Sequence, residues 1–205
     1  MQIQKSDIRK KILETSRKEF LEKGFKGTSM RSISEKSGVV LSNIYNYFRN
    51  KDVLFREVLS GLLDAVDNVA KTHNSDSNID LYVFDSEEYV KSQITMFVDL
   101  IHHYKEDFKL LLFGASGSSL ENYREKCIDR YTEMGKEYIE IVNKKYPDIN
   151  SNISYFFIHI LSSWWISIVS ELVMHDLSYD ELQKFIYEYM EYATAGWKRI
   201  MNVKE

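Results

Sequence analysis

Apolar residues recur along this chain mostly at three- and four-residue intervals, the period of one helix face. Ile8, Ile12, Leu13, Ser16, Phe20 and Leu21 form the buried stripe of a first helix, which ends at Gly24-Phe25-Lys26-Gly27. Thr28–Lys51 then reads as a short helix, a glycine turn and a second short helix. Thr28 or Ser29 supplies a hydroxyl to cap the first of these, accepting an orphan N–H, and Met30 and Ile33 point inward. Gly38 closes it, where a left-handed residue is needed, and Val39 plugs the turn. In the second short helix Ile44 and Phe48 lie four apart and face the core. Ser42, Asn43, Tyr45, Asn46 and Tyr47 occupy the remaining faces. Asn50-Lys51-Asp52 starts a further helix, expected as one rigid rod from Asp52 to about Thr72, with Leu54, Val58, Leu62 and Val66 as its stripe.

Beyond it, residues 73–86 are polar at both ends and read as a loop. Glu87–Tyr104 is a predicted helix with Val90, Ile94, Phe97, Val98 and Ile101 on one face, and Lys105–Phe113 a short apolar one. The tract Gly114-Ala-Ser-Gly-Ser-Ser lacks the spacing and the preceding strand of a phosphate loop and reads as a connector. Leu120–Tyr146 is a long helix ended by Pro147. Ser151–His175 is apolar all round, so it needs neighbours on every side. Ser178–Met201 opens with a capping box, Ser178 and Glu181, and carries the stripe Leu182, Phe185, Ile186, Tyr189, Met190, Ala193, Trp197, Ile200 and Met201. The fold class is therefore all-α: an N-terminal helix-turn-helix domain over residues 1–50 and a larger helical domain over 51–205.

An exposed helix face of Asn and Tyr is poorly built for a core and well built for a DNA groove, where a helix-turn-helix lays its second helix. The combination Gly24-Phe25, Thr28-Ser29-Met30-Arg31-Ser32-Ile33-Ser34, Gly38-Val39, Ile44-Tyr45-Asn46-Tyr47-Phe48 and Asn50-Lys51-Asp52-Val53-Leu54 resembles the N-terminal domain of tetracycline-repressor (TetR) family transcription factors. The chain departs from that pattern at Val40-Leu41, where a capping and then a polar residue are common, and at Ser42. The resemblance implies a DNA-binding regulator, most simply a ligand-released repressor. Thr28, Ser29, Met30, Arg31 and Lys51 are expected at phosphates, and Leu41, Ser42, Asn43, Tyr45, Asn46 and Tyr47 in the groove, Asn suiting adenine and Tyr a phosphate or thymine methyl. It also implies a homodimer built on the last two helices, with Tyr189, Ala193, Gly196 and Trp197 at the contact, reading a palindromic operator. An effector cavity is implied in the body, with His102, Phe113, Tyr131, Tyr155, His159, Trp164 and Trp165 as candidate lining for an apolar or aromatic small molecule.

Charge changes the picture independently of the motif. Residues 1–60 hold 13 Lys and Arg against 7 Asp and Glu, a net +6, and residues 61–205 hold 14 against 24, a net −10. A basic head on an acidic body suits phosphate binding through counterion release. One Pro and 8 Gly fit a helical protein. The lone Cys127 excludes an intramolecular disulfide and fits a reducing cytoplasm, and the N-terminus has no apolar core of a signal peptide. The charge-free stretch 149–170 holds two Asn, six Ser and a His, too polar for a membrane span and suited to a buried helix. Enzyme chemistry finds little support: His102-His103 with Glu106 and Asp107 lacks a His-Glu-x-x-His frame, and no nucleophile elbow or nucleotide fingerprint is present. No cofactor and no metal are expected. The alternative is a helical protein-interaction or small-molecule-binding protein without DNA activity.

Overall fold

The computed structural model describes residues 2–73 and 86–203, so the loop expected around 73–86 lies almost wholly outside them. Ten helices and no strand are found among the described residues: α1 Gln2–Gly27, α2 Met30–Ser37, α3 Leu41–Tyr47, α4 Lys51–Val58, α5 Ser60–His73, α6 Glu87–His103, α7 Lys105–Phe113, α8 Tyr123–Lys145, α9 Tyr155–Met174 and α10 Tyr179–Ile200. They fall into two compact units. One is the chain up to Asp64 with Glu106–Tyr123, and the other is Ala65–Lys105 with Arg124 onward. These units cut the chain differently from the expected division at residue 50, because α4 and the α7 segment pack with the N-terminal helices.

In the first unit α1 lies against α2 and α4. Its inward face is Ile12, Ser16, Glu19 and Phe20, all buried, and the Ser16 hydroxyl donates to the Ile12 carbonyl at 2.7 Å. Leu21, expected on this face, is exposed. Phe20, Phe25 and Phe55 make the centre, with Phe55 edge-on to both partners at centroid distances of 4.9 and 5.1 Å. α1 kinks at Gly24, whose φ of 67° and ψ of 176° form a pair that only glycine adopts without strain. The kink turns the Phe25 N–H out of the helix ladder to donate to the Gly114 carbonyl at 2.8 Å. The Gly- and Ser-rich tract is thus more than a connector: it docks on the head. Ser119 N–H donates to Asp52 at 2.7 Å, and Arg17 pairs with Asp107 at 2.9 Å.

The expected rod from Asp52 to Thr72 is two helices. Leu59 separates them with φ −94° and ψ 0°, and the Ser60 hydroxyl donates back to the Glu57 carbonyl at 2.9 Å. Such local side-chain bonding competes with the helix ladder. Leu59 itself is fully buried, so the break is anchored.

In the second unit α6 packs against α10 and α9. The end of α6 meets the start of α10, where the Tyr179 hydroxyl donates to Asp99 at 2.9 Å. Ser178 and Glu181 form the capping box read from the sequence. Val142 of α8 and Met201 form a small core with Tyr138, Tyr146, Ile149, Trp197 and Val203 packed around them. α9 is long and apolar enough to cross a membrane by length and composition alone. Ile158, Ser162, Ile166, Val169, Leu172 and Val173 bury one side of it, while Phe156, Ile160 and Trp164 stand exposed on the other. One chain therefore satisfies only part of a helix that is apolar all round.

Gly24→Ala is expected to cost about 1–3 kcal/mol, because an L residue is strained at that φ and its Cβ would stand 3.2 Å from the Gly114 oxygen. Urea denaturation followed by circular dichroism measures it; an unchanged midpoint would contradict the role given to the kink.

Candidate nucleic-acid interface

The local chemistry of Thr28–Lys51 builds a helix-turn-helix. Ser29, extended at φ −124° and ψ 152°, caps α2: its hydroxyl accepts from Ser32 N–H at 3.0 Å and the Ser32 hydroxyl accepts from Ser29 N–H at 3.2 Å. Gly38 ends α2 in the left-handed region, at φ 64° and ψ 16°. The turn that follows is tied by the Ser34 hydroxyl, which donates to the Val39 carbonyl at 2.7 Å. α3 then starts at Val40 without any side-chain cap. α4 starts at Asn50, whose side chain accepts from Val53 N–H at 2.8 Å.

α3 is oriented by what it buries. Ile44 is fully buried and Phe48 nearly so. Arg9 of α1 lies over the Phe48 ring, 5.6 Å from its centroid, and pairs with Glu57 of α4. With 3.6 residues per turn, the opposite face centres on Asn46. Ser42, Tyr45 and Asn46 are exposed, Tyr45 by 47%, and Leu41, Asn43 and Tyr47 are half-buried along the flanks. Ser29 and Arg31 are exposed at the start of α2.

Three residues expected at DNA turn inward instead. Thr28 is buried, its hydroxyl shared between the carbonyls of Glu19 at 3.1 Å and Gly24 at 2.9 Å. It closes the end of α1 and leaves the cap to Ser29. Met30 is buried in the core beside Ile33. The Lys51 ammonium donates to the carbonyls of Phe25 at 2.7 Å and Thr28 at 2.8 Å, and lies 4.1 Å from the centroid of the Phe25 ring. Partial burial holds its pKa below the usual lysine range. Lys51 is a clip on the α1–α2 turn.

Sequence reasoning missed Glu19. Its side chain is 1% exposed, yet it is charged: Lys36 of α2 and Lys23 both donate to it, the latter at 3.2 Å. The Lys36 hydrogen bond dominates burial and holds the carboxyl below its usual range. This pair fixes α2 to α1. Its signal was present in the spacing, since Glu19 falls on the stripe of Ile12, Ser16 and Phe20, four residues before Lys23.

The seven body residues expected to line an effector cavity differ in exposure and in their local partners. Phe113 is 56% exposed and belongs to the other compact unit. His102 is exposed, edge-on to Tyr179. Tyr155 is exposed and donates to Glu133 at 2.9 Å, and Trp164 is 40% exposed. Trp165 packs between Phe97 and Tyr189, at 5.3 and 5.1 Å. His159 is half-buried on α9. Tyr131 is half-buried on α8, and burial pushes its hydroxyl up to about 12. A groove of about 800 Å³ between α6 and α10, with Val90, Ile94, Gln183 and Tyr187 among its walls, includes none of the seven. Of the expected dimer residues, Gly196 is exposed with nothing within 4 Å of a Cβ built there, and Ala193 is half-buried. Tyr189 and Trp197 are half-buried against rings of their own chain, Trp165 and Phe157 respectively. The exposed rings on these helices are Tyr155, Phe156, Trp164, Tyr179, Tyr187 and Tyr192.

Residues 12–58 match the sequence profile of bacterial regulatory proteins of the tetR family. The HTH-type transcriptional repressor KstR2 of Mycobacterium tuberculosis is 22% identical over 174 residues, 78% of this chain and 79% of that protein. The uncharacterized HTH-type transcriptional regulator YhgD of Bacillus subtilis is 39% identical over 57 residues, 28% of this chain and 30% of that one. Among solved structures, NalD of Pseudomonas aeruginosa, the secondary repressor of the MexAB-OprM multidrug efflux pump, superposes with a TM-score of 0.61 at 16% identity, over 91% of this chain and 96% of that one. A TetR-like transcriptional regulator from Rhodococcus sp. RHA1 gives 0.60 at 17% identity, over 92% and 96%. At these identities the structural likeness speaks for the fold.

Three outcomes are expected from this geometry. Glu19 has a lower pKa folded than unfolded, so it contributes stability above its ordinary value of 4.5 and loses that contribution as pH falls through the folded value. Thermal melts from pH 7 to pH 3 should show Glu19→Gln less acid-sensitive than the wild type; parallel acid limbs would contradict the clamp. Lys51→Met should lower stability by about 1–2 kcal/mol yet leave the salt slope of DNA binding unchanged. Arg31→Ala should reduce that slope by about one. Anisotropy titrations across a salt series separate them, and a reduced slope for Lys51→Met would return it to the phosphates.

Proposed function

The chain belongs to the tetR family of bacterial regulatory proteins, and on that premise we propose that it represses transcription as a homodimer on a palindromic operator and leaves the DNA when a small apolar or aromatic effector binds its body. It is a DNA-binding regulator and not an enzyme. The observation that carries the reading is α3, a short helix held from beneath by Ile44 and Phe48 with Ser42, Tyr45 and Asn46 exposed above them. Ser29 and Arg31 take phosphates at the start of α2. Leu41, Ser42, Asn43, Tyr45, Asn46 and Tyr47 form the groove face and its flanks. The basic balance of the first 60 residues supplies the sequence-independent attraction. The site of action is the cytoplasm, where such DNA is found.

The second copy covers the open side of α9 and α10. Phe156, Ile160 and Trp164 recur every four residues along α9, and Trp164 stacks edge-on against Tyr192 of α10 at 5.7 Å. A two-fold contact between identical copies buries such a face once from each side, and the open space at Gly196 lets a neighbouring helix approach. Two heads then read two half-sites a helical turn or more apart. Selection of bound DNA from a random pool tests the function: an inverted repeat is expected. No enrichment, with binding insensitive to salt, would favour the alternative of a helical interaction module without DNA activity.

The wild type is expected to sediment as a dimer at micromolar concentration. Trp164→Glu or Gly196→Glu should shift it toward monomer and weaken operator binding; a wild-type monomer would remove the dimer from this account. Effector and operator must also weaken one another by the same factor. Binding of an effector, followed by the fluorescence of Trp164 and Trp165, is expected to be weaker with operator present. Equal affinity with and without operator would exclude release by this route.

A further inference from the structure

The side chains that α3 presents form a narrow chemical set. Leu41–Tyr47 contains no Arg, Lys, Asp, Glu or Gln. Arg and Lys are the groups that grip the O6 and N7 of guanine, and Glu and Asp those that accept from the N4 of cytosine. α3 carries none of them. It exposes Asn46 at the centre of its outward face, with Ser42 and Tyr45 beside it and Asn43 half-buried on the flank.

Val40 adds a second, independent observation. It stands just before α3 with 70% of its surface exposed and makes no cap. A Ser, Thr, Asp or Asn there would satisfy an orphan N–H of the helix and improve stability. The folded protein thus gains nothing from this valine. An apolar side chain at the edge of the groove face gains only from an apolar partner, and the major groove offers one: the C5-methyl of thymine. The same base pair offers the N7 acceptor and N6 donor of adenine, which an Asn amide meets with two hydrogen bonds. A G·C pair offers no methyl, and an apolar side chain against it leaves its polar edge unpaired.

We infer that this chain reads A·T base pairs, with Asn46, and Asn43 beside it, taking adenine edges and Val40 packing on a thymine methyl. The inference rests on the DNA-binding reading above and deepens it by assigning the base chemistry. The groups that could read guanine instead are Arg31 on α2 and Arg49 beyond the end of α3, both exposed.

The test uses the full-length protein and duplexes carrying the repeat recovered by selection. If no repeat is recovered, the DNA-binding reading itself fails and this inference with it; the remaining outcomes concern the inference alone. Replacing the half-site thymines by deoxyuridine removes the methyl groups and keeps every hydrogen-bonding group. Wild-type binding is expected to weaken about fourfold per contacted methyl, and Val40→Ala to discriminate less between the two duplexes than the wild type does. Asn46→Ala is expected to lose roughly 5- to 150-fold on the repeat and to relax the preference for adenine at one position. Both side chains are exposed, and circular dichroism checks that the variants fold. Wild-type binding that ignores deoxyuridine overturns the inference. So do half-sites of G·C pairs whose preference disappears in Arg31→Ala or Arg49→Ala.

Discussion

Seven residues are too few to make a helix in water, because the cost of nucleation is not recovered over so short a run. α3 exists because Ile44 and Phe48 are buried beneath it. That burial settles more than stability. On a helix it decides which side chains are left outside, so two apolar residues four apart select Ser42, Tyr45 and Asn46 as the outward set. A DNA-reading surface needs such fixed side chains, since a small misplacement of donors and acceptors loses the base contact. The rest of the head serves this constraint. The Phe20, Phe25 and Phe55 rings fill the centre, and Arg9 covers the Phe48 ring.

Charge in the head is divided between work inside and work outside. Glu19 is buried with Lys36 and Lys23 gripping it, and Lys51 is spent on the carbonyls of Phe25 and Thr28. A buried ion pair adds little over an apolar contact of the same size, yet losing one partner is costly. Its use here is positional: Lys36 ties α2 to α1 through Glu19, and the Lys51 hydrogen bonds tie the start of α4 to the turn after α1. The net positive balance of the head therefore overstates the cations available to phosphate. Arg31 is among those left exposed.

Much of the fold could be read from spacing. The period of Ile12, Ser16 and Phe20, the left-handed Gly38 and the Ser178–Glu181 box each act locally, and each appears where the pattern put it. What spacing could not supply was direction. Thr28, Met30 and Lys51 sit at helix starts, where such residues can face DNA or turn inward. The choice falls to groups distant in sequence, such as the carbonyls of Glu19 and Phe25. The break at Leu59 and the docking of Gly114 on the kink at Gly24 are of the same kind. In the body, aromatic residues are so frequent that composition does not separate core from cavity or interface. Only the structure distinguishes the enclosed Trp165 from the exposed Trp164.

The central claim is that α3 carries its core on one face and its DNA chemistry on the other, and a paired substitution tests it most directly. Tyr45→Ala and Phe48→Ala each remove one ring, three residues apart. Melting temperature and operator affinity measured on both should separate cleanly. Phe48→Ala is expected to destabilise by about 3–5 kcal/mol. Tyr45→Ala should keep nearly wild-type stability and lose about 1–3 kcal/mol of operator binding. A Tyr45→Ala protein as destabilised as Phe48→Ala, with operator binding intact, would contradict the account.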